Sequence, residues 1–441
     1  MIVLYILLAL LVLLMMVTIH EFGHYVAGKM LGFKINEFSI GFGPSLFSKK
    51  CKSGEIFSIR LVPLGGYCAF EGEEDNSDNS GAFTKQKPWK RLIVLFNGAF
   101  FNFISAIIFS FIMLVSVGYD VPQVYSVNDV VRIDSVYVVN SVGGYTTVPF
   151  EFTDKDIIMQ VNGDDIKNSN NSIGVTKDYL ASVLSQKESI NDEYTLTVKR
   201  KTDNDNEETF YPMVKVTKHS NAGTTDDKLQ KNDVIYKING VAIDFIKDNT
   251  FNSLITDGSS ESTVTLTVKR NGEIKDLVLN YYDTGFKDAD GNYAKAIGVS
   301  STAYRFSFGE SLVRCVPYTF GFSWKVLQAL GQLIVGKGLT QVGGPIYTIG
   351  TIASLSSQSL SYFLVLLPLI AANLAVFNWL PIPALDGSKM LLTTIEWIKG
   401  KPLFSQKTEN LIHNIGFFVL LGLVFAADIY QIIAKIFGFW F

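Results

Sequence analysis

The chain has 441 residues, 48% apolar and 18% charged, with a net charge of −3 and a mean hydropathy of +0.25. That is too apolar for an ordinary soluble domain, and the remaining charge calls for membrane segments joined to one or two soluble domains. The acidic balance leaves no basic surface for nucleic acid. Three cysteines (Cys51, Cys68, Cys315) with no C-x-x-C pair give neither a disulfide framework nor a thiolate metal site.

Residues 2–19 are almost wholly apolar and lack the basic start and small-residue cleavage site of a signal peptide. The helical pattern runs on to Leu31, which predicts one helix over 2–31 whose first part spans a membrane. Near its end stands His20-Glu21-Phe22-Gly23-His24. Residues four apart on a helix are offset by only about 40°, so His20 and His24 share a face. Two imidazoles so placed can hold one metal ion, most often zinc, although iron or cobalt suits the same ligands. Glu21 can then act as general base on a water whose pKa the metal has lowered. Such a five-residue pattern also arises by chance. Its position in an apolar segment, where ionisable groups are rare unless paired or working, adds to its weight.

Residues 33–75 predict short strands and turns, through Gly41-Phe42-Gly43-Pro44, the basic cluster Lys49-Lys50-Lys52, Phe57 to Leu61, and the bend Pro63-Leu64-Gly65-Gly66-Tyr67. This region is either an edge to which an extended peptide pairs or a plain hairpin at the membrane surface. The acidic stretch 71–84 reads as a mobile connection. Pro88-Trp89-Lys90-Arg91 marks a headgroup interface, followed by a second spanning helix over about 91–117. Within it, Asn102 has two readings, as glue between helices or as a holder of substrate backbone.

From about 121 to 301 the chain is polar and strand-like, and a pattern repeats after about 80 residues. Asp156-Ile157-Ile158 leads to Asn162-Gly163, and Asp233-Val234-Ile235 leads to Asn239-Gly240. Each is followed by a helical stretch and a strand ending in Lys-Arg, at Arg200 and Arg270. Both units resemble the PDZ domain, the first more loosely where Tyr145 to Pro149 replace a compact ligand loop. Peptide capture and simple gating of the membrane site are both compatible with such units. The expected division is 1–120, an N-terminal membrane half; 121–217 and 218–301, two PDZ-like domains; and 302–441, a C-terminal membrane half.

Residues 307–337 predict an amphipathic helix, lying on the membrane or forming a fifth span. Gly343-Gly344-Pro345-Ile346 reads as a turn before a third span over 361–380. That span ends in Asn378-Trp379-Leu380-Pro381-Ile382-Pro383-Ala384-Leu385-Asp386-Gly387. Asp386 is either a third metal ligand or the cap of a helix beginning near Ser388. Its competitor is Asp428, inside the last span at 411–434, for which snorkelling or helix pairing is preferred. His219 and His413 read as surface residues. By the positive-inside rule, 33–91 and 388–407 are cytoplasmic and 121–301 lies outside, which brings the two motifs to similar depth.

The sequence resembles the bacterial site-2 proteases, intramembrane zinc metalloproteases of the regulator-of-sigma-factor type with tandem PDZ domains. The likeness rests on His-Glu-x-x-His at 20–24, Asn-x-x-Pro-x-Pro-x-Leu-Asp-Gly at 378–387, and Gly98-Ala99-Phe100-Phe101-Asn102, where proline is usual in place of Ala99. The resemblance implies a multi-pass helical membrane protein with about four transmembrane helices, a membrane-associated β-hairpin region and an inserted extracytoplasmic α+β module. It implies Zn2+ on His20, His24 and Asp386, with Glu21 as catalytic base and Asn102, Asn378, Pro381 and Pro383 handling substrate. The implied reaction is hydrolysis within or near the transmembrane segment of a single-pass protein already trimmed outside, such as an anti-sigma factor or a signal-peptide remnant. The implied place is the bacterial inner membrane, in contact with lipid. The rivals are a non-enzymatic PDZ adaptor with a structural metal and a metal transporter; Glu21 beside the histidine pair favours hydrolysis over both.

Overall fold

The computed structural model describes residues 2–73, 79–140, 146–153, 155–167, 173–185, 193–201, 207–223, 225–257, 261–287, 293–336 and 343–437. Tyr145 and the centre of the acidic connection, 74–78, lie outside them. The chain forms two compact units, one of residues 1–119 with 305–441 and one of residues 120–304.

The first unit opens with α1 (Ile2–Leu31), followed by β1 (Ile35–Lys50), β2 (Ile56–Phe70) and α2 (Pro88–Ser116). Proline at the first position of α2 suits a helix start, where its missing N–H costs nothing. The strands are longer than the short segments expected, but each bends. Residues 35–40 pair with 66–70 on one side and with 56–59 on the other, and 45–50 pair with 56–60. The result is a rolled sheet of four short segments, with 66–70 at one edge and 45–50 at the other. Left-handed backbone at Gly41, Gly43 and Gly65 (φ 87°, 82° and 114°) makes the bends possible. Phe33, Ile35, Phe38, Cys68 and Phe70 pack with Ala27 of α1 and with Val94 and Leu95 of α2.

The second unit holds two large sheets and a separate two-stranded one. Its elements are β3 (Pro122–Val127), β4 (Val130–Asn140), β5 (Thr146–Pro149), β6 (Asp156–Val161), β7 (Asp164–Asp165), α3 (Leu180–Ser185), β8 (Glu193–Lys201), β9 (Glu207–Phe210) and β10 (Met213–His219). They continue with β11 (Val234–Ile238), β12 (Val241–Ala242), α4 (Phe251–Asp257), β13 (Thr263–Arg270), β14 (Glu273–Asn280), β15 (Tyr282–Lys287), β16 (Tyr293–Ala296) and β17 (Val299–Ala303). One sheet runs β5-β4-β10-β8-β6-β7 and the other β14-β13-β11-β3-β17. Sequence order placed 121–217 in the first unit of the repeat; β3 instead hydrogen-bonds into the sheet of the second. Alternating burial along β8 and β13 builds a separate apolar core for each sheet.

The repeat is visible atom by atom. Asn162 and Asn239 sit at φ 52° and 48°, each ahead of a left-handed glycine, which gives two tight hairpin turns. Each asparagine Oδ1 accepts a backbone N–H of the following strand pair, from Thr195 or Thr265, both at 2.8 Å. Asp156 is held by Arg200 at 2.6 and 2.8 Å, and Asp233 by Arg270 at 2.8 and 2.7 Å.

The chain returns to the first unit with α5 (Phe308–Ile334), α6 (Pro345–Gln358), α7 (Leu360–Trp379), α8 (Asp386–Lys399) and α9 (Gln406–Phe437). Helix α6 stands where the sequence suggested only a turn; its Ser, Thr and Gly content hides the apolar period. Four helices among the described residues are long and apolar enough to cross a membrane, within α1, α2, α7 and α9. Helix α5 is not one of them, yet its exposed face is largely apolar while hydroxyls are buried beside Tyr318 and Phe322. It buries Ser311, Cys315 and Thr319 and exposes Leu312, Val313, Val316, Phe320 and Trp324. That pattern suits a lipid neighbour rather than water. Thr319 reaches Ser110 of α2 at 2.9 Å, so the buried hydroxyls are satisfied. Helix α2 is the hub, packed by α1, α5, α7 and α8. Ala371, Ala372 and Ala375 of α7 are fully buried, as close helix packing requires.

Asp428 does not snorkel; of the two expected roles it takes helix pairing, through backbone rather than side-chain partners. It is buried, and its two oxygens accept the N–H groups of Ile346 (3.1 Å) and Tyr347 (2.9 Å), so it caps α6 from another helix.

Candidate metal centre

His20 and His24 lie on one face of α1, with Nε2 atoms 3.2 Å apart. Asp386, the first residue of α8, brings Oδ2 to 3.0 Å from His20 Nε2 and 3.1 Å from His24 Nε2. These three form the metal-competent group found among the described residues. The turn that delivers Asp386 is strained: Ala384 has φ 83°, unfavourable for a residue with a Cβ. His413 of α9 supports that turn by accepting the Ala384 N–H at 3.4 Å, so it is half-buried and structural, not the surface residue expected. Asp386 therefore does stand at a helix start, but its carboxylate is aimed at the histidines and not at its own helix.

Two further features shape the pocket. Gly98 of α2 lies against the imidazoles, and a Cβ there would sit 2.3 Å from His24 Nε2. Reciprocally, a Cβ on Gly23 would meet the Asn97 carbonyl oxygen at 2.3 Å. The closeness of α1 and α2 thus depends on glycine on both sides. His24 Nδ1 lies 2.9 Å from the carbonyl oxygen of Val94. A carbonyl only accepts, so Nδ1 carries the proton and Nε2 presents a lone pair.

Asn102 is fully buried, 3.4 Å from His20 Nδ1 through its amide nitrogen, and its Oδ1 has no hydrogen-bond partner. Exchanging the amide's oxygen and nitrogen gives His20 Nδ1–H an acceptor. Both Nε2 lone pairs then face the Asp386 oxygen, to which no well-aligned hydrogen bond reaches. Three lone pairs in mutual contact require a cation. Their separations match the edge of about 3.3 Å that tetrahedral zinc with bonds of about 2.0–2.1 Å demands. The residues therefore fit the ion.

Glu21 accepts the backbone N–H of Cys68 at 3.0 Å and lines a cavity of about 820 Å³ with the triad, Tyr67 and Lys389. Lys389 pairs with Glu73 at 2.8 Å, and that neighbour raises its ammonium above the usual lysine range. The start of the acidic connection is thus tied down at Glu73.

The other expected substrate residues lie differently. Asn102 does not line the cavity and touches His20. The Asn378 amide donates back to Leu374 of its own helix at 3.0 Å. Pro381 and Pro383 are exposed on the turn before Asp386. The sequence reading missed Gly98 as a cradle, the Val94 carbonyl, His413, and the Cys68 N–H. Only Gly98 left a signal, as a glycine within an otherwise apolar helix.

A buried carboxylate beside a metal-competent triad, set among helices apolar enough to cross a membrane, points to a membrane metalloprotease. The chain belongs to peptidase family M50, whose profile its residues 8–423 match. Members of that family use zinc, and the chain is a zinc metalloprotease. It is similar to the regulator of sigma E protease of Haemophilus influenzae, at 28% identity over 93% of this chain and 95% of that protein. It is also similar to a putative zinc metalloprotease of Vibrio cholerae (28%; 93% and 94%) and to the probable protease eep of Enterococcus faecalis (26%; 93% and 94%).

Proposed function

We propose that the protein is an intramembrane endopeptidase. It hydrolyses a peptide bond within or near the transmembrane segment of a single-pass membrane protein already trimmed on its extracytoplasmic side. The observation that carries this reading is the placement of His20, Glu21 and His24 within a helix apolar enough to span, with Asp386 converging on them. A soluble protease has no reason to bury its ligands there.

His20, His24 and Asp386 are the proposed zinc ligands. A zinc ion so held supplies Lewis acidity to a carbonyl and makes water more acidic. Glu21 takes the proton of the attacking water and later delivers one to the leaving nitrogen. Asn102 acts on His20 rather than on substrate, holding the imidazole so that Nε2 faces the metal. A transmembrane helix hides its carbonyls in hydrogen bonds, so substrate must be extended before attack. The edge at 66–70, beside the cavity, is suited to hold it by strand pairing through the groups that the Cys68 bond to Glu21 leaves free. The inserted unit, read as a PDZ tandem on the extracytoplasmic face, excludes substrates that have not been trimmed. An anti-sigma factor is one such substrate class, given the relative named a regulator of sigma E protease; signal-peptide remnants are another.

The test is cleavage of a tagged single-pass protein by the purified full chain in detergent, with and without a zinc chelator, beside Glu21→Gln. Loss of product in both controls, with zinc still bound to Glu21→Gln, is the expected result. Cleavage by Glu21→Gln removes the base from the mechanism.

A further inference from the structure

Helix α1 carries two stripes at four-residue spacing. One is His20 and His24, facing α2 and Asp386. The other is Glu21, Tyr25 and Lys29, which faces the rolled sheet. At the far end of this second stripe, Tyr25 Oη and Lys29 Nζ reach the Glu55 carboxylate at 3.0 and 2.9 Å. Glu55 is 3% exposed. Burial works against its charge, but the Lys29 hydrogen bond and those of its neighbours hold its carboxyl down to about 2. At the near end of the stripe, the same sheet meets Glu21 through one bond, from the Cys68 N–H at 3.0 Å.

Cys68 lies in the outer segment 66–70, which pairs on one side with 35–40 and has no strand on its other side among the described residues. Its N–H is directed off that edge. Gly66, two residues earlier, is pressed against β1, since a Cβ there would come 2.5 Å from the Ser39 carbonyl oxygen. The position of the edge is therefore fixed from behind by β1 and along α1 by Glu55. A carboxylate has two oxygens. Here one is tied to a backbone donor, leaving the other for water.

We propose that the backbone N–H of Cys68 aims Glu21, so that the edge segment of β2 is the positioning element of the general base. The proposal rests on the reading of Glu21 as that base. A backbone donor suits the task better than a side chain, because it has no rotamer to lose and cannot change charge. The Cys68 thiol takes no part; only the N–H does.

The test replaces that N–H by an ester oxygen, with lactate at 68 in the full-length protein, and compares it with its own Cys68→Ala amide parent. A hydrogen bond to a charged group, once lost, should lower kcat about ten- to a hundredfold. KM for a single-pass substrate and the zinc bound per chain should match the parent. An equal kcat in ester and amide overturns the proposal. So does loss of zinc in the ester, which would make the edge a support for the ligands. Cleavage by Glu21→Gln would instead overturn the base itself, which separates the two failures. Hydrogen exchange gives a readout free of activity and of the ester's folding. The segment 66–70 should exchange faster in Glu21→Ala than in the unaltered protein at equal zinc content, and unchanged protection there sinks the idea.

Discussion

The chain buries carboxylates in two settings. In the inserted unit, Asp156 and Asp233 are each gripped by an arginine fork and a backbone N–H, from Thr153 and Gln230, both at 2.8 Å. Every lone pair that matters has a donor. In the helical unit, Asp386 is half-buried, yet its enclosed Oδ2 faces two imidazole nitrogens and receives no aligned hydrogen bond. Burial alone therefore does not mark a functional acid. The mark is burial with the hydrogen-bond complement left incomplete toward a shared point.

Substitutions sharpen that contrast, and the largest effect falls at the incomplete site. Asp386→Ala should reduce cleavage to background and remove bound zinc, read by metal analysis of the purified protein. The fold should survive, because nothing else depends on that carboxylate. Asp233→Ala should do the opposite. It removes one of two carboxylates from the Arg270 guanidinium, which is 8% exposed and keeps Asp226 at 3.1 Å and the Lys228 carbonyl at 2.6 Å, and should cost the inserted unit about 1.5–3 kcal/mol while zinc content stays the same. Pulse proteolysis in urea measures it. A loss of zinc in Asp233→Ala would break the distinction.

Asn102→Ala sits between the two cases. It leaves all three proposed ligands in place but removes the acceptor for His20 Nδ1–H, so zinc affinity should fall about ten- to a hundredfold in a chelator competition. Asn102→Asp, which keeps an acceptor, should lose less. An unchanged affinity in Asn102→Ala would return Asn102 to the role of helix glue.

The smallest effect is on pH. Burial works against the charge of Asp156, but the Arg200 guanidinium holds its carboxyl below the usual aspartate range. A depressed folded-state value stabilises above the unfolded pKa of about 3.9 and is lost as pH falls through the folded value. The stability of the inserted unit should thus be flat from pH 7 to about 5 and decline below about 4. A decline beginning near pH 6 would implicate a histidine instead.

Much of this was legible in the sequence, for identifiable reasons. The metal motif is local, so helix geometry alone sets His20 beside His24. The repeat was legible because Asp, Asn-Gly and Arg recur at matched offsets, and each turns out to make the same bond twice. Asp386 was narrowed to two roles by its proline and glycine neighbours. What stayed hidden depends on backbone partners far along the chain. Asp428 caps α6 through two N–H groups some 80 residues earlier, which no side-chain pattern encodes. Cys68 matters by its N–H, which every residue but proline has. Asn102 left helix glue and substrate contact equally open, since neither reading can see a ring that faces it.

The pairing of β3 with β17 has a further consequence. The segment that leads into the insertion and the one that leads out, 122–127 and 299–303, are hydrogen-bonded neighbours in one sheet. The repeats are therefore nested rather than strung in series, the first carried as a loop of the second. Excising residues 130–219 should leave the outer module whole, whereas a fragment beginning at 218 lacks one of its own strands and exposes the edge of β11. Gene surgery that follows the order of the sequence would cut this protein in the wrong place.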